Sequence, residues 1–154
     1  MSIRTKIAIG LGSNLGDREK NIRKAFERLQ EEFLFEAKLS TLIETPPWGI
    51  EDQPSFLNAA AIGLSEWKPT AIVNYCKLLE RELGRVDAVK YGPRLIDLDL
   101  LLFGEETWKS EGVVVPHPEM HKRSFVLMPL VELDPNWIHP IEKKTISELL
   151  VKLK

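Results

Sequence analysis

Two periods of hydrophobic and polar residues alternate along the chain, and the change from one period to the other predicts the order of its elements. Apolar residues spaced three and four apart predict helices, and short β-branched runs predict strands. Strands are predicted at residues 3–11, 34–44, 56–64, 95–103 and 113–115, and helices at 18–32, 69–83, 124–133 and 145–153. This order, strand–helix–strand repeated, predicts an α+β ferredoxin-like sandwich with two helices on a mainly antiparallel sheet.

Composition narrows the class of protein without identifying it. The chain has 154 residues, which predicts a single domain over 1–154, and 44% apolar with 29% charged residues is ordinary for a globular protein. The formal net charge of -2 argues against a nucleic-acid partner. No apolar run is long enough to cross a membrane, so we expect a cytoplasmic protein, and we expect a monomer. The lone Cys76 excludes an internal disulfide and is expected to be a buried, inert thiol.

The segment Gly92–Gly104 carries the strongest chemical signal. Asp97 and Asp99 are two residues apart on a predicted strand, so both side chains project from the same face. Ile96, Leu98, Leu100 and Leu102 are expected to pack into the core behind them. Neighbouring carboxylates repel one another unless a cation lies between them, and Mg²⁺ prefers such oxygen ligands. The alternative is a solvent-facing strand whose aspartates pair with lysines, because a short motif is weak by itself.

Cationic residues on both sides of this strand favour the metal interpretation. Arg85, Lys90 and Arg94 precede it, and Lys122 and Arg123 follow it beside two histidines. Arginine binds phosphate oxygens bidentately, so the aspartates, metal ions and guanidinium groups together suit the triphosphate of ATP.

Two further segments could take part in binding. The glycine-rich run Gly10–Gly16 is either a phosphate cradle or a tight strand-to-helix turn. Phe56 and Asn58 share a strand face, so a flat heterocycle could stack between Phe56 and Phe125 while Asn58 bonds its edge. By spacing alone, the pattern favours both phenylalanines as plain core residues.

At this point the sequence resembles the 6-hydroxymethyl-7,8-dihydropterin pyrophosphokinase family of the folate pathway. The resemblance runs through GLGSNLGDREKNI, ETPPWGIEDQPSFLNAA, YGPRLIDLDLLLFG and VPHPEMHKRSFVLMPL, in that order and over nearly the whole chain. It implies a ferredoxin-like fold and transfer of diphosphate from ATP to the hydroxymethyl group of a reduced pterin, with two Mg²⁺ ions.

The resemblance also implies the roles of individual residues. Catalysis would depend on Arg85, Arg94, Asp97 and Asp99, and both aspartates would hold the metal ions. The pterin would bind to Thr45, Pro46, Trp48, Phe56, Asn58 and Phe125. ATP would bind to Lys77, Glu80, Arg85, Tyr91, Arg94, Leu100, His117 and Arg123. Lys77, Gly112, Val114 and Pro118 depart from the residues that relatives carry near the nucleotide.

Two other functions are consistent with parts of the sequence. A metal-dependent nucleotidyltransferase would also place paired aspartates on a sheet, but it would release pyrophosphate instead of AMP. A ferredoxin-like RNA-binding module would need exposed aromatic residues and a basic sheet face, whereas this face carries two carboxylates.

Overall fold

A computed structural model describes residues 3–45, 54–84 and 95–154, and it builds them around one five-stranded sheet. The strands of this sheet are β1 (Thr5–Ser13), β2 (Phe35–Leu39), β3 (Ile43–Thr45), β4 (Phe56–Ser65) and β5 (Asp97–Phe103). Two small hairpins comprise β6 (Trp108–Ser110) with β7 (Val113–Val115), and β8 (Ile138–His139) with β9 (Lys144–Thr145). The helices are α1 (Arg18–Glu32), α2 (Pro69–Glu82), α3 (Ser124–Leu133) and α4 (Ile146–Lys152), with a 3₁₀ turn at Met120–Lys122.

The main sheet has the strand order β2-β4-β1-β5, and every pair in it is antiparallel. β3 pairs with β4 next to β2, so these two short strands share one edge. Helix α1 joins β1 to β2, and α2 joins β4 to β5; the strands that each helix joins are not neighbours in the sheet. This arrangement confirms the predicted ferredoxin-like α+β fold.

Helices cover both faces of the sheet, which the sequence pattern did not predict. Ile7, Ile9 and Leu11 of β1 belong to a core with α1 and α2. Ala8 faces the opposite way and belongs to a second core with α3 and α4. The second core lies at one end of that face, around Ala60 and Ile62 of β4, so the far end of the same face is left for a binding site.

The predicted strand over 34–44 is divided into β2 and β3 by residues 40–42. Ser40 stabilises the break, because its hydroxyl oxygen accepts the Ala60 N–H at 2.9 Å and so keeps this buried backbone donor hydrogen-bonded. The backbone N–H of Ser40 donates to the Ala60 carbonyl at 2.9 Å as well.

A β-bulge in β5 makes one packing prediction wrong. Ile9 pairs with Leu100, but the neighbouring Ala8 pairs with Leu102, so Leu101 is an extra residue in β5. The bulge shifts the alternation of side chains, and Leu102 therefore packs in the core of α3 and α4. Ile96, Leu98 and Leu100 pack behind the aspartates as predicted.

The helices end close to the predicted positions. Asp17 caps α1, since its carboxylate accepts the Lys20 N–H at 3.1 Å. In the described ranges the longest helix is α1, with 15 residues on an amphipathic pattern, and no helix there has the length and apolarity that a bilayer crossing requires.

The hairpins β6–β7 and β8–β9 were not predicted as pairs, because strands of two or three residues are too short to show a period.

Candidate active site

Asp97 and Asp99 lie on the same face of β5, opposite two glycines of β1. Gly12 pairs with Asp97, and Gly10 pairs with Asp99. Residues that pair directly across antiparallel strands share a face of the sheet, so the alternation that predicted a joint projection of the carboxylates holds here. Both aspartates are half-buried, which keeps them accessible to a ligand.

The glycines separate the aspartates from a polar group on the next strand. On its other side Gly12 pairs with Asn58, and Gly10 pairs with Ala60. Two strand spacings, about 10 Å, therefore lie between Asn58 and Asp97. The intervening Gly12 has no side chain, so backbone forms the floor between the two groups.

Gly12 and Gly10 differ in what lies above them. A Cβ atom at Gly12 would lie 3.0 Å from the Asn58 Oδ1 and 3.6 Å from Cδ1 of Phe56. The three atoms nearest to a Cβ atom at Gly10 all belong to the Leu101 side chain, at 3.5 to 3.7 Å. The glycine at position 12 therefore keeps space beside Asn58 and Phe56, whereas the space at position 10 is already covered by Leu101.

Thr45, Phe56 and Asn58 form one wall of this region. Thr45 of β3 pairs with Phe56 of β4, and the Asn58 amide Nδ2 donates to the Thr45 hydroxyl at 2.6 Å. This bond fixes the amide orientation, so that its carbonyl oxygen faces the space above Gly12. Phe125 is the second residue of α3, the helix that packs on β4.

A cleft of about 330 Å³ lies on the other side of the aspartates, between α2, β5 and the segment after β7. Six residues that the sequence assigned to the site line it: Lys77, Glu80, Asp97, Asp99, Leu100 and His117. Its volume is at the lower end of the range typical of small-molecule sites.

Glu80 is buried in this cleft and is tied to the strand that carries the aspartates. Its carboxylate Oε2 accepts the backbone N–H of Leu98 at 2.8 Å, and Leu98 is the residue between Asp97 and Asp99. An N–H donor at the edge of β5 is thereby satisfied by a carboxyl oxygen, which fixes the edge of the strand at the point where both aspartates emerge.

His117 is held as a neutral imidazole. Its Nδ1 accepts the Glu119 backbone N–H at 3.1 Å, so hydrogen-bond geometry assigns the ring proton to Nε2. Burial lowers the pKa of His117 below its ordinary value of 6.5, and the positive charge of Arg123 lowers it further, while Glu119 and Asp97 act in the opposite direction. His117 can therefore donate one hydrogen bond into the cleft near neutral pH.

Arg123 lies where the 3₁₀ turn meets α3, and its guanidinium carbon is 5.8 Å from the centre of the Phe125 ring. The structure therefore brings Arg123 close to His117 and to Phe125. Five assigned residues, Pro46, Trp48, Arg85, Tyr91 and Arg94, lie outside the described residues.

The cleft also includes residues that the sequence did not assign to the site. Val73 and Cys76 line it on the same face of α2 as Lys77 and Glu80, and helical spacing from Glu80 could have indicated them. Cys76 is buried as expected, and burial raises the pKa of its thiol far above the ordinary value. Gly112, Val113, Val114 and Pro118 line the opposite side, and of these the sequence singled out all but Val113 only as departures from relatives.

Neither interpretation of the glycine-rich run describes its first half. Gly10 and Gly12 lie inside β1, and the turn into α1 begins only after Ser13. Their pairing with Asp99 and Asp97 explains the glycines better than a phosphate cradle at the start of a helix.

Comparison with known proteins identifies the family. The family model described as 7,8-dihydro-6-hydroxymethylpterin-pyrophosphokinase matches residues 8–135. A protein from Aquifex aeolicus named 2-amino-4-hydroxy-6-hydroxymethyldihydropteridine pyrophosphokinase is 44% identical over 142 residues, which are 92% of this chain and 88% of the relative. A protein of the same name from Bacillus subtilis is 44% identical over 140 residues, covering 90% of this chain and 81% of the relative.

Longer proteins match this chain over only part of their own length. A mitochondrial folate synthesis bifunctional protein of Arabidopsis thaliana is 41% identical over 128 residues, which are 83% of this chain but 23% of the relative. A crystal structure of HPPK-DHPS from Plasmodium falciparum with pteroate has a TM-score of 0.76 at 15% identity, and it covers 99% of this chain and 43% of that one. At this identity the structural likeness shows the fold, which is the one described above.

The site is a ferredoxin-like sheet that carries two carboxylates between a cleft and an aromatic–amide wall, and the named relatives place it in the class of the pyrophosphokinases. The chain belongs to the 7,8-dihydro-6-hydroxymethylpterin-pyrophosphokinase family. The family and the enzyme class that the sequence motifs predicted are confirmed.

We expect His117 to titrate below pH 6.5 and to carry its proton on Nε2 at pH 7, because it is buried and accepts a backbone N–H at Nδ1. Replacing Arg123 by Gln should raise the pKa of His117, since a positive charge that disfavours the imidazolium is removed. Long-range ¹H–¹⁵N NMR spectra over a pH titration measure both quantities. A His117 pKa that does not move in Arg123→Gln, or a proton on Nδ1, would contradict this description.

Proposed function

We propose that this chain transfers a diphosphate group from ATP to the hydroxymethyl group of 6-hydroxymethyl-7,8-dihydropterin, giving AMP and the pterin diphosphate in folate biosynthesis. The observation that supports this proposal best is the position of Asp97 and Asp99. They line the cleft, and they pair with Gly12 and Gly10 of β1. On its other side β1 pairs with β4, the strand that carries Phe56 and Asn58 of the aromatic–amide wall. A nucleotide on one side and a flat acceptor on the other would therefore meet beside the two carboxylates.

The donor set fits Mg²⁺, and we propose that Asp97 and Asp99 hold two of these ions. Both are hard oxygen donors, half-buried and adjacent on one face of β5. Within residues 3–45, 54–84 and 95–154, no three His, Cys, Asp or Glu side chains form a metal-binding group, so phosphate oxygens and water would complete the coordination. Bound Mg²⁺ would offset phosphate charge and favour ionisation of the attacking hydroxyl group.

The acceptor wall would bind and orient the pterin. The ring can stack on Phe56, and the Asn58 amide, held by Thr45, can bond the polar edge of the ring. Phe125 at the start of α3 is proposed as the opposing aromatic side chain. Pro46 and Trp48 are proposed for the same wall on the basis of the sequence motif. Fixed orientation matters here, because in-line transfer depends on the position of the attacking oxygen.

The cleft would bind ATP. His117 can donate its Nε2–H to a phosphate oxygen, and Arg123 adds positive charge next to it. Leu100 offers an apolar surface, Lys77 a charged one, and Glu80 keeps the edge of β5 in place. Arg85, Arg94 and Tyr91 are proposed to complete the phosphate site, as the sequence motif implies.

A cytoplasmic location and a monomeric state belong to the same proposal. Bacterial relatives of nearly the same length support the first. Among other relatives are bifunctional proteins, one of them named as mitochondrial, so association with further folate enzymes is compatible with this domain.

We expect Asp97→Asn and Asp99→Asn each to lower kcat by about a thousandfold or more, equivalent to roughly 4 kcal/mol of activation free energy. The amide keeps the size of the side chain but loses the charge that would hold a metal ion. The melting temperature should stay within a few degrees of the wild-type value. The measurement is the rate of AMP release from ATP in the presence of the pterin and Mg²⁺.

The matched control for this pair is Glu105→Gln, which removes an exposed carboxylate just beyond the end of the same strand. It should leave kcat unchanged. Near-normal turnover in either aspartate variant, with Mg²⁺ saturating, would contradict the proposed role of the pair.

We also expect Gly12→Ala to lower kcat/KM for the pterin by roughly ten- to a hundredfold, because the new methyl group lies 3.0 Å from Asn58 Oδ1 and must displace that amide. Gly10→Ala should change it by less than about threefold, since its Cβ meets Leu101 at ordinary contact distances. Steady-state kinetics with the pterin varied at saturating ATP distinguish the two. Equal effects of both substitutions would show that the space above Gly12 is not used by the substrate.

A further inference from the structure

Arg18 contacts both ends of the segment that joins β3 to β4. Its Nη1 lies 2.7 Å from Oε2 of Glu44 and donates a hydrogen bond to the Ser55 carbonyl at 2.9 Å. Glu44 precedes Thr45 and Ser55 precedes Phe56 in the chain. One guanidinium group therefore links the residues immediately before two members of the acceptor wall.

These contacts lie where the strand pairing ends. Thr45 and Phe56 are the last pair of the β3–β4 ladder, and residues 46–55 lead from one strand to the other. Among the described residues, Thr45–Phe56 is the last pair of β3 with β4, so the contacts of Arg18 lie at the described end of this ladder. A charged group that bonds both strand ends can set the separation between them and, with it, the relative position of Thr45 and Phe56.

The base from which Arg18 reaches is itself held in place. Asn14, 1% exposed, donates its Nδ2 to the Pro54 carbonyl at 3.1 Å, one residue from Ser55. The Asn21 amide donates to the Leu15 carbonyl at 2.9 Å and to Ser13 Oγ at 3.2 Å, so the turn before α1 is cross-linked to the helix. Asn14 before this turn and Arg18 after it thus donate to the neighbouring carbonyls of Pro54 and Ser55.

The ion pair itself would add little to global stability. The Glu44 side chain is 59% exposed and that of Arg18 30% exposed, and pairs of this kind contribute little because solvent screens them. If Arg18 only stabilised the fold, an ion pair with any neighbouring residue on the surface of α1 would serve as well. The contacts of Arg18 converge instead on the two residues next to Thr45 and Phe56, which is the arrangement expected of a residue that positions a binding wall.

We propose that Arg18 is a positioning residue for the pterin pocket, acting through Glu44 and Ser55 on Thr45 and Phe56 without touching the substrate. This inference rests on the proposed function of that wall. It gives the exposed start of α1 a part in selecting the acceptor, and it assigns no part to Arg18 in binding ATP.

The test compares Arg18→Gln with Arg23→Gln. Arg23 lies on the same helix and pairs with Glu19 at 2.9 Å, with both side chains more than half exposed, so it loses a similar ion pair away from the wall. We expect Arg18→Gln to raise KM for the pterin roughly tenfold, the scale of one lost hydrogen bond to a charged donor. KM for ATP and kcat should change less than about twofold, and the Arg23 variant should match the wild type.

Two further variants separate positioning from stability. Glu44→Gln removes the ion pair but leaves the bond to Ser55, so its effect on KM for the pterin should be smaller than that of Arg18→Gln. Arg18→Lys keeps the charge and should restore part of the pterin affinity. Melting temperatures of all variants are measured alongside, and those of Arg18→Gln and Arg23→Gln should agree within about 3 °C.

An unchanged KM for the pterin in Arg18→Gln would overturn the inference. So would a rise in both KM values with a matching loss of thermal stability, which would mean a general structural role. Wild-type kinetics in the same series distinguish this failure from a failure of the proposed function. If the wild type is active and the Arg18 variant equals it, only the positioning role is refuted. If the wild type shows no turnover, the proposed function and the inference are refuted together.

Discussion

The shared face of Asp97 and Asp99 on β5 is the structural constraint on which the proposed site depends. A β-strand turns alternate side chains to the same face, so the sequence Asp-Leu-Asp places two carboxylates together while the intervening Leu98 enters the core. Neighbouring like charges repel one another, so a pair of this kind suits a site to which cations bind. Beside this pair, the fold places a hydrogen bond from the Leu98 N–H to Glu80 and a neighbouring cleft of about 330 Å³.

The sheet contributes to the site as much by the side chains it omits as by those it presents. Helices α3 and α4 cover one end of the second face, and the remaining end carries Gly10 and Gly12 between Asp99 and Asp97 on one side and Ala60 and Asn58 on the other. Because Gly12 has no side chain, backbone forms the floor between Asn58 and Asp97, which is the arrangement that the proposed acceptor site requires. The ferredoxin-like fold is shared by many proteins with other functions, so it is this local pattern that suits the fold to group transfer.

Sequence reasoning reached the parts of this structure that depend on strong local periods. The same-face projection of Asp97 and Asp99, the bounds of α1 and the burial of Cys76 all follow from alternation, helical spacing or apolar context. It failed where a single residue changes the register: the bulge at Leu101 moves Leu102 to the other core, and no composition signal marks it. It also missed that α3 and α4 cover the second face, because a helical pattern shows which side is buried but not what it packs against.

The sequence also could not predict the roles of residues that act through hydrogen bonds to the backbone. Arg18 is a partly exposed arginine on an amphipathic helix, and only the position of Glu44 and Ser55 in space distinguishes it from Arg23. Glu80 was assigned to ATP from the family motif, while its hydrogen bond to Leu98 N–H required coordinates. Long-range contacts of this kind join residues 18 or more positions apart, which no period along the chain encodes.

The central claim is that both carboxylates share divalent ions with the phosphates of a nucleotide. A crystal structure with Mn²⁺ in place of Mg²⁺, a non-hydrolysable ATP analogue and the pterin tests it most directly through anomalous difference density. The account predicts two peaks within coordination distance of Asp97 and Asp99, beside the nucleotide phosphates in the cleft. Peaks at other carboxylates, with Asp97 and Asp99 turned apart or paired to cationic side chains, would contradict it.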